Sequence, residues 1–218
     1  NQILNSEDII VNQVGQDLYE KFFKHFTKKQ WDLDPSELSP SVCGRIPIRT
    51  NADDRYFSDE YQFMPKDGYT KMFEKMLNHP NIEVKLNTDY KDIINEIKFD
   101  NMIYTGPIDY FFDYKFGKLP YRSIRFEREN LKVKKFLNVG SYNYVDDKEI
   151  YTRITEYKYL TGQQAVSTTI SKEYPQTKGE PYYPIPNDHN SILYNKYLLE
   201  SEKLKSIRFL GRLAEYKY

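Results

Sequence analysis

From Ser6 to about Lys29 the apolar residues recur four apart, at Ile10, Val14, Leu18, Phe22 and Phe26. That spacing puts them on one helical face and predicts one or two amphipathic helices, with Ser6 as N-cap ahead of the acidic Glu7 and Asp8. Gly15 weakens the middle of the run. Trp31 to Pro40 carries two prolines and several cap-type residues, which predicts a loop followed by a short turn or helix. Residues 45–63 read as extended, with a turn at 51–54. Helical spacing returns over Gly68–Leu77 through Tyr69, Met72, Phe73, Met76 and Leu77, and Pro80 closes it. Ile82–Leu86 then alternates as a strand, Tyr90–Ile97 reads as a short helix, and Asn101–Thr105 reads as a strand ended by Gly106 and Pro107.

Beyond Pro107 the pattern changes. Segments rich in Tyr, Phe, Ile and Val at 123–127, 133–139 and 165–170 predict strands, and an antiparallel sheet is the economical way to pair them. Residues 191–204 return to helical periodicity, and 207–210 reads as a last short strand. The fold class is therefore mixed α/β (α+β), with a helical N-terminal region, an α/β region and an antiparallel sheet. No internal repeat or low-complexity tract interrupts it.

Composition narrows the chemistry. Lys plus Arg balances Asp plus Glu at 32 each, so no global basic field exists to attract nucleic acid or an anionic membrane, and any anion site is local. No apolar run approaches the roughly 20 residues of a membrane-spanning helix. The one cysteine, Cys43, excludes an internal disulfide and fits a reducing, cytoplasmic setting. His25, His79 and His189 lie far apart in sequence, so no metal-ligand spacing is present. The 21 tyrosines and 13 phenylalanines supply aromatic plates that suit core filling and also sugar or base stacking. Neither end has the polar tail or leader of a natural terminus, and both read as cuts within a longer sequence.

Arginines and tyrosines concentrate in three short segments, Tyr151–Glu156, Pro181–Pro184 and Gly211–Tyr218. A guanidinium presents paired N–H donors to phosphate oxygens, and a phenol adds one donor on a rigid plate. Together they suggest a nucleotide-sugar site. Taken singly, each such residue is more often a structural ion-pair or ring partner. None of the nine glycines makes a G-x-G pair, so a dinucleotide fingerprint is absent from this chain.

Read in order, Phe26–Trp31, Arg45–Arg49, Asn51–Phe57, Met64–Thr70, Tyr104–Asp109 and the three segments above resemble UDP-galactopyranose mutase over nearly the whole chain. The resemblance implies a flavoprotein fold that is only partial here, because the family opens with a glycine-rich FAD-binding unit. It implies a helical substrate-binding region at 1–60, part of the FAD-binding α/β domain at 61–106, an antiparallel-sheet substrate region at 107–190 and a return to the FAD-binding domain at 191–218. It further implies an isomerase that interconverts UDP-galactopyranose and UDP-galactofuranose, with N5 of reduced FAD attacking the anomeric carbon. This chain alone would then be inactive, and a homodimer is the assembly left open.

Carried over position by position, Arg45 and Arg153 match the family's diphosphate-binding, catalytic arginines. Tyr56, Tyr183 and Tyr218 match its phosphate-contacting tyrosines, and Asn143 a substrate-contacting asparagine. Trp31 matches a residue of the mobile substrate loop, Phe22 and Phe26 would flank the uracil, and Arg212 matches an arginine near the flavin. The chain departs from the pattern at Phe26, Ala52 and Phe63, where the family often carries other side chains. Two other readings stand beside the enzyme: a noncatalytic UDP-sugar-binding module, and a related flavin oxidase-like protein with another substrate.

Overall fold

A computed structural model describes residues 2–53 and 55–217. The helical region begins with α1 (Ser6–Val14), whose N-cap is Asn5, with Oδ1 accepting the Asp8 N–H at 2.9 Å. Ser6, the expected cap, is instead fully buried one residue inside the helix, where its hydroxyl donates to the Ser39 carbonyl at 2.6 Å. Gly15 at φ 81° breaks the run, and the short α2 (Gln16–Leu18) leads into a wide π-type turn over Tyr19–Lys24. That turn carries more residues than an α turn and shifts the apolar stripe. Tyr19 is buried and Phe23 half-buried, whereas Leu18 and Phe22, which simple periodicity assigns to the core, are exposed.

Next come α3 (His25–Trp31), a 3₁₀ turn at Pro35–Glu37 and α4 (Ser41–Gly44). Trp31 is the last residue of α3 and only 3% exposed, not part of an open loop, and the left-handed Asp32 (φ 59°) ends the helix after it. Ile10, Tyr19, Trp31, Leu38, Val42 and Cys43 form one core, onto which Tyr183 and Ile185 pack from far along the chain.

The described part of 45–63 is irregular, and the expected turn at 51–54 includes Asp54, which lies outside the described residues. Helix α5 (Gly68–Leu77) forms as expected, yet none of its residues is buried. The expected strand at 82–86 does not form; its side chains are exposed and no strand lies beside it among the described residues. Then follow α6 (Tyr90–Ile93), β1 (Met102–Tyr104) and α7 (Ile108–Phe111).

The sheet is built from β2 (Tyr121–Leu131), β3 (Ser141–Asn143), β4 (Arg153–Glu156), β5 (Thr168–Gln176) and β6 (Tyr183–Pro184), with α8 (Tyr157–Thr161) between β4 and β5. Its order is β3-β4-β5-β2-β6, antiparallel throughout. The expected strand at 133–139 is replaced by an irregular stretch. Glu156, fully buried on β4, draws the amides of Phe136 (3.1 Å) and Leu137 (2.6 Å) onto its carboxylate, which a strand ladder would otherwise use. Finally α9 (Asp188–Ser201) is capped by Asn187 and leads to β7 (Ile207–Phe209), which pairs parallel with β1. Ile108, Leu119, Tyr197 and Tyr216 make a second core there. The architecture is thus mixed α/β with an antiparallel sheet.

Candidate functional site

On β4 Ile154, Thr155 and Glu156 are buried, Ile154 to 2% exposed, and Arg153 at the strand start is left half-exposed. Register places Asn143, Arg153 and Glu173 side by side on three adjacent strands. The Arg153 Nε donates to Asn143 Oδ1 at 2.9 Å, and its Nη1 stands 3.7 Å from Glu173 Oε2. Burial pushes the Glu173 carboxyl above the usual carboxylate range, against the pull of the Arg153 guanidinium. The guanidinium is thereby fixed by two neighbours, while its side chain remains 41% exposed to meet a ligand.

The irregular loop of residues 144–152 joins Asn143 to Arg153. Its anchor is Lys29 on α3, whose Nζ donates to the carbonyls of Tyr144 (2.7 Å), Glu149 (3.0 Å) and Tyr151 (3.3 Å). Burial lowers the Lys29 pKa, and the nearby Asp146, Glu149 and Asp147 oppose that shift.

A second group gathers where β6 meets α3. The Trp31 and Tyr183 rings lie 6.2 Å apart at 60°, and the Arg212 guanidinium sits 5.3 Å over the Tyr183 ring and donates to the Tyr182 carbonyl at 3.3 Å. Behind them, buried Arg122, in register with Tyr183, donates to the Gln30 carbonyl (3.0 Å) and the Thr177 hydroxyl (2.7 Å) and pairs with Asp32 at 3.4 Å. Arg122 thus neutralises the C-terminal end of α3 and holds it on the sheet.

A third group is looser. Arg45 follows α4, donates from Nε to the Val42 carbonyl at 3.1 Å, and reaches the Tyr56 hydroxyl at 3.4 Å. Both side chains are exposed. Tyr56 also meets Phe57 edge-on at 4.8 Å. Phe22, 51% exposed, and half-buried Phe26 lie on the π turn and α3. Tyr218 lies outside the described residues.

Of the expected residues, then, the structure brings together Asn143 with Arg153, Trp31 with Tyr183 and Arg212, and Arg45 with Tyr56. Among the described residues no hydrogen bond or ion pair joins Arg45 or Tyr56 to Arg153 or Asn143. The sequence reading did not single out Glu173, Lys29 or Arg122. None carried a sequence signal: the residues on both sides of Glu173 are half-buried like it, Arg122 lies in a run of buried residues without alternation, and Lys29 has only its place in the motif before Trp31. Among the described residues no cluster of His, Cys, Asp and Glu is placed to hold a metal, and no helix is long and apolar enough to cross a membrane.

Comparison with known proteins adds an independent line. A family model described as UDP-galactopyranose mutase matches residues 21–218. A dTDP-fucopyranose mutase from Escherichia coli is 36% identical over 97% of this chain and 59% of its own length. A probable UDP-galactopyranose mutase from Klebsiella pneumoniae is 40% identical over 97% of this chain and 56% of its own length. For UDP-galactopyranose mutase from Mycoplasma pneumoniae the values are 36%, 95% and 57%. The chain therefore spans less than two thirds of these relatives. A crystal structure of reduced UDP-galactopyranose mutase matches with a TM-score of 0.75 at 13% identity, covering 100% of this chain and 64% of the other, which establishes a shared fold.

Proposed function

Because this chain belongs to the UDP-galactopyranose mutase family, we propose that it carries the sugar-nucleotide half of an FAD-dependent isomerase acting on UDP-galactopyranose and UDP-galactofuranose. The observation that carries this reading is Arg153, held by Asn143 and Glu173 yet open to solvent along part of its side chain. A guanidinium fixed in this way meets a diphosphate without first losing rotamer freedom, which favours binding of the leaving group as its charge develops. In this reading Arg45 and the Tyr56 hydroxyl contact the same diphosphate from the other side. Tyr183 adds a hydroxyl, Asn143 meets the sugar, and Phe22 and Phe26 form the apolar wall for the base. Trp31 is packed into the core in this conformation, so its contribution is to set the position of Tyr183.

Part of a flavin site fits the residues present. Arg212 is exposed at the carboxyl end of β7 beside Gly211, whose φ of 93° leaves the backbone open, and carboxyl ends of parallel strands are where such sheets take ligands. The phosphate turn does not fit, since no G-x-G pair occurs. When bound in its reduced form, the flavin would supply the nucleophile for the anomeric carbon. Buried Cys43 accords with a reducing, cytoplasmic setting.

The test is turnover of UDP-galactofuranose by the full-length protein with dithionite-reduced flavin, for wild type and Arg153→Ala. The variant should lose activity by about 10² or more. Equal turnover with oxidised flavin, or an undiminished Arg153→Ala enzyme, would overturn the reading. A second substrate class has one observation in its favour: the relative named as a dTDP-fucopyranose mutase is 36% identical over 97% of the chain. Measuring dTDP against UDP affinity in the same protein decides between the two nucleotides.

A further inference from the structure

We propose that Lys29 is a positioning residue for Arg153, fixing through three backbone carbonyls the loop that joins Asn143 to Arg153 and tying that loop to α3. The proposal rests on the reading of Arg153 as a diphosphate ligand and extends it to a residue that touches no substrate. An ammonium has three N–H donors, and in Lys29 each has a partner, at Tyr144, Glu149 and Tyr151. These acceptors span the whole loop. The Tyr144 carbonyl belongs to the residue after Asn143, and the Tyr151 carbonyl lies two residues before Arg153. Between them the chain has no regular structure; the Tyr144 N–H to Thr152 carbonyl bond (3.0 Å) closes the loop at its base.

Three carbonyls converging on one nitrogen suit a compact ammonium better than a planar fork. Without that nitrogen the carbonyls lose their common partner, and the loop between its paired ends is free to drift. Arg153 then keeps Asn143 and Glu173 but loses the fixed hairpin that aligns them. Because Lys29 sits two residues before Trp31, the same contact sets the spacing between the Trp31–Tyr183 pair and the arginine.

The experiment is UDP titration of the full-length protein and of Lys29→Met, Arg153→Ala and the double variant, with thermal midpoints recorded alongside. Lys29→Met is expected to bind UDP about tenfold more weakly, the size of one lost charged hydrogen bond, and to have no further effect once Arg153 is alanine. Wild-type affinity in Lys29→Met, even with a lowered midpoint, would overturn the proposal, and so would losses that simply add. Should Lys29→Met not fold, Lys29→Gln keeps one donor and is expected to be several-fold weaker in the same Arg153-dependent way; unchanged affinity there would overturn the proposal equally. Unchanged affinity in Arg153→Ala would instead overturn the functional reading on which the proposal stands.

Discussion

Arg153 and Arg45 carry the same assignment but live in different surroundings. Arg153 belongs to a five-stranded sheet whose ladder, cross-strand partners and buried Ile154 all determine where the guanidinium points. Arg45 follows a four-residue helix, leans on the carbonyl of its own turn, and meets Tyr56 at the outer limit of a hydrogen bond. One arginine is set by a sheet, the other by the turn of a short helix and an irregular segment. In the proposed reading, the first sets the register of the diphosphate and the second meets it from a less regular part of the chain.

The sharpest way to break this contrast is to loosen the sheet. Ile154→Ala should lower unfolding stability by about 3 kcal/mol in urea denaturation, as for a fully buried aliphatic residue. Val42→Ala, under the Arg45 turn, should cost less, about 2 kcal/mol, since fewer methyl groups are removed. Equal losses would mean that the two arginines stand on equally firm ground. At the arginines themselves, Arg153→Lys should weaken UDP binding about tenfold because a lysine cannot keep both the Asn143 bond and a phosphate contact. Arg45→Lys should weaken it only about threefold, measured in the same titration.

A pH series separates the regions more gently. Burial opposes charge on Glu156, but the Thr168 hydroxyl and the amides of Leu137 and Phe136 outweigh it and hold the carboxylate below the usual range. Its folded-state pKa lies below the unfolded value, so its contribution is complete above the ordinary glutamate range and is lost as pH falls through the lowered value. Glu156→Gln should therefore be less stable than wild type near neutrality and converge on it in acid, read from thermal midpoints. The smallest effect is expected at α5: Phe73→Ala should change the stability of this chain by no more than about 0.5 kcal/mol, because the ring is exposed.

How much of this was legible in the sequence depended on whether neighbours overrode the local pattern. Helix Gly68–Leu77 and strand Ile207–Phe209 form where periodicity places them, and 123–127 lies within the longer β2. Ile82–Leu86 carries the same alternation as 123–127 but forms no strand, since alternation supplies a face and not a partner. At 133–139 the override is a single charge, the buried Glu156 taking the amides a strand would have paired. Motif order named the arginines and tyrosines of the candidate site, whereas Lys29, Glu173 and Arg122 became visible only through contacts across more than twenty residues of sequence or between adjacent strands.

The wide turn at Tyr19–Lys24 acts as a phase adjuster for everything after it. An α-helix advances about 100° per residue; the wider winding absorbs an extra residue, so α3 keeps the facing that a regular helix one residue shorter would give it. A residue deleted instead within α3 ahead of Lys29 would turn Lys29 from its loop and Trp31 from its core by roughly that angle, with no atom of either side chain altered. The angular setting of α3 against the hairpin that carries Arg153 is therefore encoded in a count of residues as well as in their identity.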